Sequence, residues 1–165
     1  MLLTLDQIFQ LETNLENGFE AILARCNVKI FRVRDTDAGI SPRLEINVTV
    51  GDALNHQHLF PDNSWVTDAW NGVFDVTVVT NRTDTEARTQ IHQRLIGLVR
   101  KYLQYYQATN NWLNTGPVIL DTIHELGSVE SFVDQNDLDN TKMSWSIMFN
   151  LNTAVVNQAA QSALQ

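Results

Sequence analysis

Gly72-Val-Phe-Asp-Val-Thr-Val-Val-Thr80 passes into Thr83-Asp-Thr-Glu86 and then into the long run Ala87 to Tyr106, and this stretch decides the fold. Phe74, Val76 and Val78 share one face of a period-two run, with Val73, Asp75, Thr77 and Val79 on the other, as in a half-buried strand. Thr83 to Glu86 has the form of a capping box. The Thr83 hydroxyl accepts from the Glu86 backbone N–H, and the Glu86 carboxylate accepts from that of Thr83. Ala87, Ile91, Leu95, Val99, Tyr102 and Tyr106 then recur at spacings of three and four. They predict one apolar stripe on a helix of about 24 residues. No glycine-rich loop and no nucleophile separates strand from helix, so the unit reads as scaffold.

Upstream, Thr4-Leu-Asp-Gln7 is a second capping box, opening a helix predicted from Leu5 to Arg25. Its stripe is Ile8, Leu11, Leu15, Phe19, Ile22 and Leu23, and its wet face Glu12, Glu16 and Glu20. Gly18 weakens the interior by roughly 1 kcal/mol against alanine. Val28 to Arg34 reads as a first strand, Asp35 to Pro42 as a turn-rich connector, and Arg43 to Val50 as a second strand. In that second strand Leu44, Ile46, Val48 and Val50 face in, while Arg43, Glu45, Asn47 and Thr49 face out. Gly51 to Asn71 is longer than an ordinary connection and reads as a working loop or a disguised hairpin. Its Phe60, Trp65 and Trp70 are too apolar for a free linker and are expected to pack on the domain or on another subunit.

Downstream, Gln107 to Gly116 is a polar connector around Trp112, and Pro117 to Leu126 resumes strand character. Gly127 to Lys142 reads as a long loop carrying Glu130, Asp134, Asp137 and Asp139. Met143 to Leu151 alternates again, with Met143, Trp145, Ile147, Phe149 and Leu151 on one face and Ser144, Ser146, Met148 and Asn150 on the other. The last two strands are expected to form an antiparallel hairpin with a long loop. Residues 1–151 therefore predict a single α+β domain, a two-layer sandwich. Its mixed or antiparallel sheet has about four to five strands, and two long helices pack on one face. Residues 152–165 read as a frayed or docking tail.

Composition narrows the function. The chain has 165 residues, 44% hydrophobic and 18% charged, which is ordinary for a globular protein. A net charge of −8 with the eleven basic residues spread out disfavours a phosphate-gripping surface. The densest basic run, Arg25 to Arg34, lies mostly on a predicted strand. Cys26 is the one cysteine, so no intrachain disulfide forms, and it reads as a small apolar residue ending the first helix. Met1-Leu-Leu-Thr-Leu5 is interrupted by Asp6 and Gln7 and does not read as a signal peptide, and no run approaches a membrane span.

His56-Gln-His58, with His124 as a third ligand, is the one cluster with metal-ligand residue types, and it carries the alternative of a small metal-dependent hydrolase. It lacks the helical His-Glu-x-x-His arrangement of zinc enzymes, and solvated loop histidines are the default reading. Asp134 to Asp139 resembles a calcium loop but has Leu138 where an oxygen ligand belongs, and it lacks the turn glycine and closing glutamate. No phosphate loop, nucleophile elbow or paired-carboxylate site stands out. The expectation is a non-enzymatic protein without metal or cofactor.

The pattern as a whole resembles the tail terminator (tail completion) proteins of long-tailed bacteriophages. The likeness rests on Trp70-Asn-Gly-Val-Phe-Asp-Val-Thr-Val-Val-Thr80 and on the helix pattern Ala87…Ile91-His92-x-x-Leu95…Val99…Leu103. Ser144-Trp-Ser-Ile-Met-Phe-Asn-Leu151 after a long variable loop, and an opening helix followed by a hairpin, complete it. The likeness is one of pattern and order over about residues 5 to 151. It implies a virion structural protein, assembled in the host cytoplasm and placed at the head-proximal end of the tail. It further implies a homo-oligomer, a hexameric ring, that caps the tail tube protein, stops tube growth and offers its other face to the head-side connector or neck protein. A related phage neck or adaptor protein is the other reading within this class. Phe60, Trp65, Trp70 and Trp112 are candidate subunit or ring–ring contacts, and Asp134, Asp137 and Asp139 candidate lumen or interface residues. An acidic chain suits a channel through which genomic DNA slides without specific binding, because like charge repels phosphate. No membrane partner is expected.

Overall fold

A computed structural model describes residues 10–33, 40–53, 58–59, 65–66, 70–81, 85–109, 118–133, 138–151, 161–162 and 164. In chain order the elements are α1 (Leu11–Leu23), a 3₁₀ turn (Ala24–Cys26), β1 (Lys29–Arg32), β2 (Arg43–Ala53), β3 (His58–Leu59) and β4 (Trp65–Val66). They continue with β5 (Trp70–Asn81), α2 (Thr85–Thr109), β6 (Val118–Val133) and β7 (Leu138–Leu151). The main sheet has five strands in the order β1-β2-β5-β7-β6, all antiparallel except the β1–β2 pair, and β3 and β4 make a separate antiparallel ribbon. Among the described residues the architecture is α+β, with a mixed sheet and two helices.

Strand alternation places the core. Leu44, Ile46 and Val48 of β2, Phe74, Val76 and Val78 of β5, and Met143, Trp145, Ile147 and Phe149 of β7 are buried on one face. They join Leu15, Phe19, Ile22 and Leu23 of α1 and Leu95, Ile96, Val99 and Leu103 of α2 in a single cluster, so both helices cover that face. Phe19 stacks on Phe74 with centroids 3.8 Å apart, and Phe74 in turn meets Trp145 at 6.0 Å. These three aromatics join the first helix to the sheet centre. The 3₁₀ turn that follows α1 ends where Asn27 takes a left-handed conformation at φ 56°, one that asparagine tolerates better than most residues. That turn releases the chain into β1.

Several expectations are corrected. The opening helix is described from Leu11, so the Thr4–Gln7 box lies outside the described residues. The first strand is shorter than predicted, Lys29–Arg32, and runs parallel to β2, with Ile30 beside Leu44 and Arg32 beside Ile46. It is therefore not half of a hairpin. The stripe on α2 is rolled relative to prediction. Ile91 is 42% exposed, whereas His92, Ile96 and Leu103 are buried with Leu95 and Val99. Arg43, expected to face water, is 3% exposed. Its guanidinium pairs with Glu45 at 2.9 Å and donates to the Ile40 carbonyl at 2.7 Å, which offsets the desolvation of the charge.

The Gly51–Asn71 segment is partly a hairpin, through the β3–β4 ribbon, with β2 reaching Ala53 and β5 starting at Trp70. The predicted Gly127–Lys142 loop is mostly strand, because β6 runs to Val133 and β7 begins at Leu138. Two irregularities re-phase β6. Asp121 is extra between the Leu120–Phe149 and Thr122–Met148 pairs, so Leu120 and Ile123 both reach the core although three residues apart. Beyond Glu125–Trp145, three residues of β6 face Ser144 before pairing resumes at Val129–Met143.

Candidate functional site

Among the described residues, the long helix α2 carries a buried hydrogen-bond network and borders a cleft on each flank. Its inward face carries His92, 9% exposed, between two strands. His92 Nδ1 lies 2.8 Å from the Thr80 hydroxyl of β5, and Nε2 lies 2.7 Å from the Thr141 hydroxyl of β7. The Ser131 hydroxyl of β6 continues the chain, 3.2 Å from that of Thr141. A neutral imidazole has one donor and one acceptor nitrogen, and hydroxyls rotate to suit either. Both ring nitrogens are engaged, so the ring has neither proton nor lone pair to offer a substrate. The arrangement is a brace tying the helix to three neighbouring strands.

One flank of α2 faces β6. Arg100 pairs with Glu125 at 2.7 Å, and a cleft of about 340 Å³ lies between His92 and Gln93 on the helix and Ser131 and Val133 on β6. β6 is an outer strand of the sheet among the described residues, and its distal half is apolar and open to solvent. Val129, Phe132 and Val133 are 45%, 50% and 46% exposed. Register places Val129 and Val133 on the helix side, opposite Met143 and Asp139. Phe132 and Glu130 lie on the other side, opposite Asn140 and Lys142. Apolar groups thus stand in water on both faces of this arm.

The other flank of α2 faces the 3₁₀ turn and Val28. There a groove of about 330 Å³ is lined by Ile91, Leu98 and Tyr102 of the helix together with Cys26, and it is rimmed by Arg25 and Arg94. Burial pushes the Cys26 thiol up from 9.0 to about 11, so it stays protonated at neutral pH. The far face of the sheet is a polar ladder. Asp75 accepts from the Ser144 hydroxyl at 2.5 Å and lies 3.8 Å from the Lys142 ammonium. Below α1, the carboxylate of Glu16, 1% exposed, pairs with Arg32 at 3.0 Å, and Asn17 and Glu20 also contact that guanidinium.

The residues singled out from sequence are scattered. Trp70 begins β5 and is half-buried on the core of its own chain, stacked with Phe149 at 6.5 Å. Its indole N–H is buried and has no acceptor among the described residues. Trp65 lies in β4, and Phe60 and Trp112 fall outside the described residues. Asp139 is half-buried in β7 opposite Val133, and Asp134 and Asp137 fall outside the description. His124 is exposed on β6 opposite Ser146, His58 lies in β3, and His56 falls outside. No group of three metal-binding side chains occurs among the described residues, and no described helix is long and apolar enough to cross a membrane. Sequence reading missed the role of His92 and the exposed arm. A histidine one position from a stripe residue, and a Val-x-x-Phe-Val run inside an acidic segment, were the available signals.

No protein-family model and no curated protein matches the chain. A solved structure whose name describes no function aligns over 85% of this chain and 94% of its own, with 14% identity and a TM-score of 0.48. Likeness at that level carries no argument.

Proposed function

We propose that this protein is a virion structural component, a tail terminator that forms a ring on the end of a phage tail tube. In this reading it stops tube growth and offers its opposite face to the head-side connector. The carrying observation is the distal half of β6, where Val129, Phe132 and Val133 stand exposed on both faces of a hairpin rooted in a tightly packed core. Exposed apolar groups on a rigid support are what protein–protein contacts use. The order of helix, strands, long helix and long hairpin supports the resemblance noted from sequence. His92 favours a structural role too, since both its nitrogens serve the fold. The activity is assembly, without turnover, and the partners are further copies of this chain, the tube protein and the connector.

Negative-stain imaging of the purified protein, alone and with tail tubes, tests this. Rings seated on one end of each tube, with tube elongation halted, are expected. A protein that leaves tube ends bare and lets them keep growing overturns the proposal.

A further inference from the structure

Building on the self-assembly in that reading, we propose that the β6 arm of one copy docks in the basic groove of the next, with Glu130 meeting Arg94 and Phe132 entering against Ile91 and Leu98. The groove sets the aliphatic Ile91 and Leu98 beside the cationic Arg25 and Arg94, in a chain whose net charge is −8. The arm has the complementary character. Phe132 is 50% exposed, and Glu130 is exposed beside it on the same face. Arg94 has no carboxylate partner among the described residues.

Spacing agrees as well as charge. Residues two apart on a strand place Glu130 and Phe132 roughly 7 Å from each other. Helix neighbours three and four apart place Ile91 and Leu98 roughly 5–6 Å from Arg94. An acid and an aromatic ring on the arm can therefore meet a guanidinium and an aliphatic floor together.

The two surfaces lie on different flanks of α2. At about 100° per residue, Ile91, Arg94, Leu98 and Tyr102 point away from Gln93, Arg100 and Gln104, which face the arm's side. A chain cannot fill its own groove with its own arm across the helix, so the occupant is a second copy. Two different complementary patches make a head-to-tail interface, which closes into a ring when the rotation permits.

The test uses Arg94→Glu, which blocks the groove, and Phe132→Ser with Glu130→Ala, which blocks the arm, each compared with wild type by mass photometry and circular dichroism. Each variant is expected to keep its helix and strand signal and lose association by about tenfold or more. An equimolar mixture of the two retains one intact contact and is expected to stop at a dimer of one chain of each kind. A single chain carrying Arg94→Glu with Glu130→Arg is expected to regain the wild-type mass. Unchanged oligomers in either variant, or no dimer on mixing, overturn the proposal while leaving ring formation through another face intact. A wild type that is monomeric alone yet caps tubes overturns it too, in favour of a different tail protein in the groove. Dimers on mixing from a protein that never binds tubes uphold the interface and remove the terminator reading.

Discussion

The β6–β7 hairpin is one ladder with two unlike halves. In the proximal half Leu120 and Ile123 face Phe149 and Ile147 under the helices, and none of the four is more than 5% exposed. In the distal half Val129, Phe132 and Val133 keep the same cross-strand pairing but stand about half in water. Cross-strand pairing is continuous apart from the irregularities at Asp121 and after Glu125. What differs is the layer above. Pairing alone sustains a strand, and helix coverage decides whether its apolar residues stabilise this chain or remain available to another.

Truncating one aromatic in each half separates covered from uncovered residues most strongly. Phe149→Ala, in the covered half, is expected to cost about 3–5 kcal/mol through lost transfer and a cavity. A thermal melt within a degree of wild type would show the core misplaced. Gly72→Ala probes how tightly the covered sheet is built. An added Cβ would stand 2.7 Å from the Thr49 carbonyl oxygen and 3.3 Å from Ile147. The carbonyl is backbone and cannot swing aside, so a loss of about 1–3 kcal/mol is expected in denaturant titration.

His92→Ala tests the junction between the halves. It strips partners from the buried Thr80 and Thr141 hydroxyls and should cost about 1–3 kcal/mol, with faster amide exchange in the distal strands than in the proximal ones. Uniform exchange along the hairpin would argue against a brace. Alkaline pH gives a smaller effect. Folded Cys26 holds its proton to about pH 11 and the reference value is 9.0, so the folded state binds more protons between those values. The stability this contributes is full below pH 9 and is lost as pH rises toward 11. Cys26→Ala should flatten the fall in melting temperature over that window. Smallest of all, Phe132→Ser should leave monomer stability within about 0.5 kcal/mol, since its ring stands half in solvent. A large destabilisation there would make the arm part of the fold.

Much of the architecture was legible from periodicity. The strand faces of β2, β5 and β7, the extent of α2 and the two-layer arrangement follow from spacings of two and three-to-four. The misreadings share one origin. Ile91 and His92 are adjacent in sequence and about 100° apart around the helix, yet each lies three or four residues from Leu95 and so completes a stripe with Leu95 and Val99. Hydroxyls of Thr80 and Thr141, distant in sequence, roll the helix toward His92. Arg43 alternates like a surface residue until Glu45 and the Ile40 carbonyl enclose its charge. The acidic composition of 127–142 suggests a loop, whereas Glu130 sits across from Lys142 in a register inherited from the proximal strands. The candidate site was less legible still, because a patch is an arrangement of residues from separate elements.

Local spacing was enough to establish a globular α+β chain with amphipathic helices on a one-sided sheet, because side chains must alternate or spiral with their own backbone. The parallel placement of β1, the roll of α2 and the reach of the last hairpin came from contacts between residues far apart in the chain. Direction, rotation and coverage depend on what packs opposite each element, and no window of sequence contains its partner.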